Sequence, residues 1–179
     1  LLIIGSIPLI LVGYIFYSTG MINSFRNLET IAWTTLVFGI LMYFSDTFKV
    51  KKNIEKDLSI KNILIIGVLQ IFAIIPGVSR AGITITAGRF LNFDRHDSAK
   101  ISFYLSIPAL IGASVLSLKD AISEDLEFNF LLIISIILSF IFSYLTIKYF
   151  LIYTKKFSLK FFVIYRIILS IIIFSIIYY

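Results

Sequence analysis

The sequence predicts an all-α membrane protein whose helices cross the bilayer several times, and three observations support this prediction. Hydrophobic residues make up 59% of the 179 residues, and the mean hydropathy is +1.01. Charged residues make up only 15%, whereas soluble domains carry about 25%. Apolar runs follow one another along the whole chain with short charged patches between them, which is typical of a polytopic helical membrane protein.

Six apolar runs are the predicted membrane helices of a single transmembrane domain that covers residues 1–179. A helix needs about 20 residues to cross the hydrocarbon core, so the second and third runs are short for a crossing. The chain enters the first run without a Met, and we interpret it as a piece of a longer protein. The runs are Leu1–Tyr17, Ile31–Phe44, Ile63–Val78, Ile101–Leu118, Phe128–Tyr153 and Phe161–Tyr179.

The charges between the runs indicate how the helices are oriented. Five lysines lie in residues 48–61 and four in residues 148–160, which the positive-inside rule places in the cytoplasm. The acidic segment Lys119–Glu127 and the segment Tyr17–Leu28 fit the outer side. The net charge of +6 therefore reflects topology, and we expect no nucleic-acid partner. The chain has no Cys and one His, which excludes disulfides and argues against a zinc site.

The stretch between the second and the fourth run does not fit a simple crossing. Pro76-Gly77 separates two apolar segments, Ile63–Val78 and Ala81–Phe93, of about 24 Å and about 20 Å as helices. Pro76 lacks an amide donor, and Gly77 permits backbone conformations that other residues avoid. Since irregular backbone at membrane depth is tolerated only inside protein or beside a watery cavity, we predict a re-entrant or broken helix pair around residues 76–80. Loop parity places both of its ends on the cytoplasmic side.

The residues after this break form a candidate anion site. Ser79 is well placed as the N-cap of the second half-helix, whose first amides would be free to bind phosphate. Arg80 adds a charged fork suited to phosphate oxygens, and Thr84 adds a hydroxyl one turn further on. A guanidinium at membrane depth indicates a functional site by default. The alternative left open is that Arg80 snorkels to the interface and Ser79 only caps the helix.

Other polar residues near the break have more than one interpretation. Gln70 lies in an apolar helix, where it either lines the site or bonds a neighbouring helix. Arg89 is predicted to snorkel at the cytoplasmic end of its half-helix. His96, the single His, is interpreted as part of a solvated loop over Asp94–Asp97 rather than as a catalytic group.

The break carries a family resemblance. Residues 76–84 read Pro-Gly-Val-Ser-Arg-Ala-Gly-Ile-Thr, which is similar to the second signature of the undecaprenyl-diphosphate phosphatase (bacitracin-resistance) family, Pro-Gly-x-Ser-Arg-Ser-x-x-Thr. The similarity continues through Phe103–Pro108 to Tyr165-Arg166. The resemblance implies an enzyme of the bacterial inner membrane that hydrolyses undecaprenyl diphosphate to undecaprenyl phosphate plus phosphate and so recycles a lipid carrier for cell-wall synthesis.

The resemblance also implies roles for residues and partners. Arg80 and Ser79 would be catalytic, and the substrate-binding residues would be Gly77, Ser79, Arg80, Thr84 and Gln70. A divalent cation, Mg or Ca, is implied as well, although no ligand for it is identifiable in this chain. The expected partners are the polyprenyl diphosphate lipid and the membrane, and a homodimer is left open.

Two departures from the family pattern limit the resemblance. Ala81 stands where the family usually has Ser, which removes one hydroxyl from the proposed phosphate contacts. The first signature of the family, a glutamate pair and a Ser-Ser-Thr-Gly-His run, is absent from the sequence. We therefore interpret the chain as the C-terminal part of an inverted-repeat protein, and we expect it to be inactive alone because the nucleophile or base would come from the missing part.

Two alternatives remain at this point, a transporter and a structural protein, and a third, another phosphatase class, is set aside. A broken helix with a buried Arg also suits a membrane anion or lipid transporter. A second class of membrane lipid phosphatase has a His six residues after the Arg of its Ser-Arg pair, a position that Thr86 occupies here. In a purely structural membrane protein, Arg80 would be replaceable without effect.

Overall fold

The structure, a computed structural model, describes residues 1–123 and 130–179. Within these ranges the chain forms eight α-helices and no strand, which confirms the all-α class. Five of the helices (α1, α2, α6, α7 and α8) are long and apolar enough to cross a membrane. The helices are α1 (Leu2–Thr19), α2 (Leu28–Asp46), α3 (Ile54–Asp57), α4 (Ile60–Gln70), α5 (Arg80–Phe90), α6 (Arg95–Ser123), α7 (Phe130–Lys156) and α8 (Lys160–Tyr178).

Helix α2 is longer than its apolar run. The apolar run covers residues 31–44, whereas the helix covers residues 28–46. With 19 residues the helix is a candidate membrane span. Its start is fixed by Asn27, whose side chain accepts a hydrogen bond from the amide of Thr30 at 2.7 Å. The expectation that this run is short for a crossing is therefore wrong, because capping extends the helix into polar residues that a hydropathy run leaves out.

Helices α4 and α5 form the predicted re-entrant hairpin. A 3₁₀ turn over Ile71–Ile74 continues α4, the chain reverses over residues 75–79, and α5 packs back against α4. The amides of Lys51 and Lys52 both donate to Asn92 O, at 3.0 and 3.1 Å, and Lys52 Nζ donates to Asn62 Oδ1 at 3.3 Å. The two outer ends of the hairpin thus lie on the same side of the molecule, as loop parity predicts.

Asp46 joins three helices at that same side. Its carboxylate accepts two hydrogen bonds from Arg95, at 2.6 and 3.1 Å, and one from the amide of Leu159 at 3.1 Å. The end of α2 and the starts of α6 and α8 therefore meet at one carboxylate. The lysine-rich segments and the hairpin base share this side, and its assignment to the cytoplasm remains a prediction.

The segment Asp94–Asp97 is not the solvated loop that we expected. Asp94 Oδ1 accepts a hydrogen bond from the amide of Asp97 at 2.6 Å, which is the geometry of a helix cap, and α6 begins at Arg95. Asp97 is buried and accepts from the amide of Ile54 at 2.9 Å. The charged residues of this segment therefore join helix ends, and Asp97 is the one of them that is buried.

Helix α5 lies at the centre of the described helices. It contacts α2, α4 and α6, while α8 packs along α2 and α1 packs along α4. Two apolar clusters flank it: one formed by Ile63, Ile66, Ala87, Phe93, Ile101 and Leu105, the other by Met42, Ile85, Ala99, Leu159 and Val163. Helix α7 lies outside, with Thr154 its only side chain recorded as buried. Of the predicted outer acidic loop, residues 119–123 belong to α6, and the rest lies outside the described residues.

Candidate functional site

The break between α4 and α5 has the capped helix start that the sequence predicts. Ser79 precedes α5, and its Oγ accepts a hydrogen bond from the amide of Gly82 at 3.2 Å. Ser79 has φ of +66°, a conformation that costs a non-glycine residue about 1–3 kcal/mol and is common at functional sites. The amides of Arg80 and Ala81 make no hydrogen bond within the described ranges. They are free donors at the positive end of the helix dipole.

Helix α2 supports the other half of the break. Thr34 Oγ1 donates to Pro76 O at 2.6 Å, and Thr35 Oγ1 donates to Gly77 O at 3.3 Å. Gly77 has φ of +89°, and a Cβ at this position would collide with Thr34 Oγ1 and with Ile31 O. Glycine is therefore required here both for its backbone conformation and for the close approach of α2.

Arg80, Gln70 and Thr84 lie together, on the side of the break that faces α6. Arg80 Nη2 donates to Ser102 O at 3.0 Å and to Gln70 Oε1 at 3.4 Å, and Thr84 Oγ1 bonds Ser102 Oγ at 2.7 Å. Gln70 and Thr84 are fully buried. Arg80 turns into the protein instead of snorkelling to an interface. Gln70 Nε2 and Arg80 Nε are buried without a hydrogen-bond partner among the described residues.

The opposite side of the start of α5 borders a cavity of about 490 Å³. Gly77 and Ser79 line this cavity, but Gln70, Arg80 and Thr84 do not. Helical periodicity explains the division, because Arg80 and Thr84 are four residues apart and share one face, whereas Ala81 and Ile85 share another. The cavity is lined by Ile31, Thr35, Met42, Gly77, Ser79, Ala81, Gly82, Ile85, Phe150, Leu159, Phe162, Tyr165, Arg166 and Leu169.

Arg166 of α8 also lines this cavity. The sequence indicated it only as part of the family resemblance, without a role. It is 7% exposed, and its Nη2 donates to Gly77 O at 2.8 Å and to Val78 O at 3.0 Å. Its Nε donates to Thr35 O at 3.3 Å. The signal that could have identified it is a lone guanidinium inside an apolar run of membrane-spanning length, which indicates a functional position by default.

A second, polar cavity of about 470 Å³ lies at the other end of α5, beside Asp46, Arg89 and His96. Arg89 is 2% exposed and donates to the carbonyls of Phe93 and Phe48, both at 2.6 Å. The prediction that Arg89 snorkels is wrong, because main-chain carbonyls in the segments that follow α2 and α5 need donors and Arg89 supplies them. His96 lies beyond the end of α5 that is far from the break, and α5 is about 16 Å long. His96 Nδ1 is 3.1 Å from Leu151 O.

The residues around the break do not by themselves fit a divalent cation. Magnesium and calcium bind carboxylate oxygens, and among the described residues no Asp or Glu lines the cavity beside Ser79. In residues 1–123 and 130–179 no group of three or more His, Cys, Asp or Glu side chains is arranged to hold a metal.

The chain is similar to proteins of one family along nearly its whole length. It is 61% identical over 179 residues to the undecaprenyl-diphosphatase of Pelagibacter ubique (strain HTCC1062), covering 99% of this chain and 70% of that relative. It is 42% identical over 156 residues to the undecaprenyl-diphosphatase of Elusimicrobium minutum (strain Pei191), covering 87% of this chain and 58% of that relative. For the undecaprenyl-diphosphatase of Halothermothrix orenii (strain H 168), the identity is 39% over 160 residues, covering 87% and 61%.

The chain thus spans less than two thirds of the length of the last two relatives. A model of the family described as bacitracin resistance protein BacA matches residues 1–172. This match covers well over half of the chain, and the chain therefore belongs to the BacA family.

Proposed function

We propose that the protein hydrolyses undecaprenyl diphosphate to undecaprenyl phosphate plus phosphate in the bacterial inner membrane. The observation that carries this proposal is the Ser79-capped start of α5, which has free amides and borders a largely apolar cavity. A helix N-terminus binds phosphate, and apolar walls suit a polyprenyl chain. The names of the relatives support the same activity, and they lend no support to the transporter alternative.

Ser79 and Arg80 are the catalytic residues that we propose. Hydrolysis of a phosphoanhydride develops charge on the bridging and terminal oxygens. The amide of Ala81 and the hydroxyl of Ser79 would stabilise this charge from the cavity side, with the free amide of Arg80 beside them. The guanidinium of Arg80 adds positive potential from the α6 side.

Gln70 and Thr84 act through Arg80 in this proposal. Thr84 Oγ1 donates to Arg80 O at 2.9 Å, and Gln70 Oε1 accepts from the guanidinium. Both side chains therefore hold Arg80 in place, whereas Gly77 and Ser79 border the space that a substrate would occupy. Of the five predicted substrate-binding residues, two thus lie at the cavity and three form a supporting network. The first two are Gly77 and Ser79, and the other three are Gln70, Arg80 and Thr84.

The group that activates water lies outside the described cavity lining. In the part of the chain that the structure describes, no Asp, Glu or His lines the cavity beside Ser79, so none of these lining residues has the chemistry of a general base. The divalent cation stays a proposal from the resemblance, and its ligands would include the diphosphate oxygens of the substrate. A homodimer likewise stays a prediction of the sequence.

The first experiment is an assay of phosphate release from undecaprenyl diphosphate by the full-length protein in detergent. We expect Arg80→Ala to lower kcat/KM by about tenfold or more, because it removes the positive potential of the guanidinium beside the break, and a loss of about 1.4 kcal/mol of transition-state stabilisation is a factor of ten in rate. The matched control is Arg26→Ala, because Arg26 is an exposed Arg beyond the end of α1.

Each contrary result has a definite meaning. Activity of Arg80→Ala equal to that of the unsubstituted protein would remove Arg80 from the mechanism. Binding of the lipid diphosphate without release of phosphate by the unsubstituted protein would contradict the hydrolase proposal and favour transport.

A further inference from the structure

The polar cavity of about 470 Å³ at the lysine-rich end of the molecule is not used by the proposed hydrolysis. It lies between the start of α6, the last turn of α7 and the segment that follows α2. Three cations and two carboxylates line it, so that its charge is net positive when its His is neutral. The cations are Arg89, Arg95 and Lys155, and the carboxylates are Asp46 and Asp94.

The carboxylates of this cavity are already engaged, whereas two of its cations keep free donors. Both oxygens of Asp46 accept hydrogen bonds from Arg95, and Asp94 Oδ1 accepts one from an amide in the first turn of α6. Arg95 bonds Asp46 through Nε and Nη2, and its Nη1 makes no hydrogen bond within residues 1–123 and 130–179. Lys155 is exposed and has no hydrogen-bond or ion-pair partner in the same ranges. The donors that remain suit an anion.

Exposed apolar side chains lie next to these donors. Phe48 and Val50 line the same cavity and are 43% and 56% exposed. On α7, Ile152 is three residues before Lys155, which places the two side chains on one face of the helix, and Ile152 is 45% exposed. Because α7 is also a candidate membrane span, a ligand here could hold a charged group at the donors and an apolar chain along the helix.

We propose that the polar cavity binds the phosphate headgroup of an anionic phospholipid, with Arg95 and Lys155 contacting the phosphate. Basic pockets between membrane helices on the cytoplasmic side bind such headgroups, and the lysine pattern predicts that side for this cavity. The proposal does not depend on the hydrolysis, because the cavity lies at the end of α5 that is far from the break.

The test is a titration of the full-length protein in a neutral detergent at about 0.15 M salt, where exposed charges are well screened. Phosphatidylglycerol is added from mixed micelles, phosphatidylcholine is the zwitterionic comparison, and native mass spectrometry counts the bound lipid. We expect phosphatidylglycerol to bind more tightly. Lys155→Gln should weaken its binding by about fivefold, since a basic residue near an anionic lipid contributes about 1 kcal/mol.

The matched control for this variant is Lys156→Gln. It makes the same charge change at the next position of α7, and Lys156 does not line the cavity. We expect the affinity for phosphatidylglycerol to stay within about twofold, because salt screens an exposed charge that does not contact the ligand.

A second pair of variants leaves the cations in place. Val50→Glu adds a carboxylate to the exposed part of the cavity lining and should weaken phosphatidylglycerol binding by about fivefold through repulsion of the phosphate. Val50→Gln has the same size without the charge and should bind like the unsubstituted protein. Since Val50 is exposed, melting temperatures should be equal, and this pair stays informative if Lys155→Gln does not fold.

Each outcome supports or overturns the proposal. A preference for phosphatidylglycerol that falls in Lys155→Gln and Val50→Glu, and is kept in the two control variants, supports it. Equal affinities of Lys155→Gln and Lys156→Gln, or equal affinities for the two lipids, overturn it. A parallel titration with inorganic phosphate separates the sources of the anion: phosphate that binds as tightly as the lipid, with the same dependence on Lys155, would overturn the lipid assignment.

Discussion

A methyl group occupies the position beside the cavity where the family resemblance leads us to expect a hydroxyl. Ala81 is the second residue of α5, and it borders the cavity together with Ser79 and Gly82. Its own amide is one of the two free donors at the helix start. The side chain at this position therefore lies close enough to a phosphate held by these amides to influence its binding.

The substitution Ala81→Ser tests this placement. We expect KM for undecaprenyl diphosphate to fall roughly fivefold with little change in kcat, because one added hydrogen bond contributes about 1 kcal/mol. Steady-state phosphate release by the full-length protein measures both constants. The same change at exposed Ala113 of α6 is the control and should leave KM unaltered. A KM for Ala81→Ser equal to that of the unsubstituted protein would place the bound phosphate elsewhere.

Of the glycines, Gly67 of α4 lies closest to the backbone of another element, and that element is α1. A Cβ added to Gly67 would collide with the backbone carbonyl oxygen of Gly5. Small residues let helices pack this closely in a membrane, where van der Waals contact and interhelical bonds replace the hydrophobic effect. The position of α1, and with it one support of the re-entrant hairpin, depends on the absence of a side chain at Gly67.

We therefore expect Gly67→Ala to lower the stability of the protein in detergent by about 1–3 kcal/mol, the usual range for overpacking. Thermal unfolding followed by circular dichroism measures the change. Gly13→Ala is the matched control, since a Cβ there meets nothing within 4 Å, and it should be neutral or stabilising. Equal melting temperatures for the two variants would contradict the tight contact.

The elements were predictable to different degrees from the sequence. Hydropathy alone indicates the long helices, and Pro76-Gly77 with the lysine pattern indicates the hairpin, because both signals are local in the chain. The faces of α5 were not predictable, since polar and apolar residues both lie on its buried sides and only packing decides that Arg80 meets Ser102 while Ala81 meets the cavity. The hydrogen-bond partners of Arg89 and Arg166 among the described residues are main-chain carbonyls, which the sequence of side chains does not indicate.

For the molecule as a whole, Asp46 is the point where separate parts of the chain are tied together. Its oxygens bond Arg95 and the amide of Leu159, and Arg89 Nε lies 3.8 Å from Oδ1. The carboxylate thus balances two arginines and joins the starts of two helices to the end of a third. Loss of its charge would leave those cations without their shared partner.

We expect Asp46→Asn to lower stability by about 2–3 kcal/mol, somewhat less than the 3–5 kcal/mol of a fully buried pair because Arg95 is 36% exposed. The melting temperature in detergent is the measurement. Asp57→Asn is the control, since within the described residues the Asp57 carboxylate accepts a local, exposed hydrogen bond from the amide of Asn53 and no other. A melting temperature for Asp46→Asn like that of the control would show that the cluster contributes little.

The main-chain carbonyls and amides of the break differ in whether neighbouring side chains form hydrogen bonds with them. The carbonyl oxygens of residues 76–78 accept hydrogen bonds from Thr34, Thr35 and Arg166. The first two amides of α5 have no partner in the described chain. The electrostatic polarity of the loop is thereby set before any ligand arrives. A bound anion would need little rearrangement of the backbone, so the free energy of binding would not be spent on reorganising the receptor.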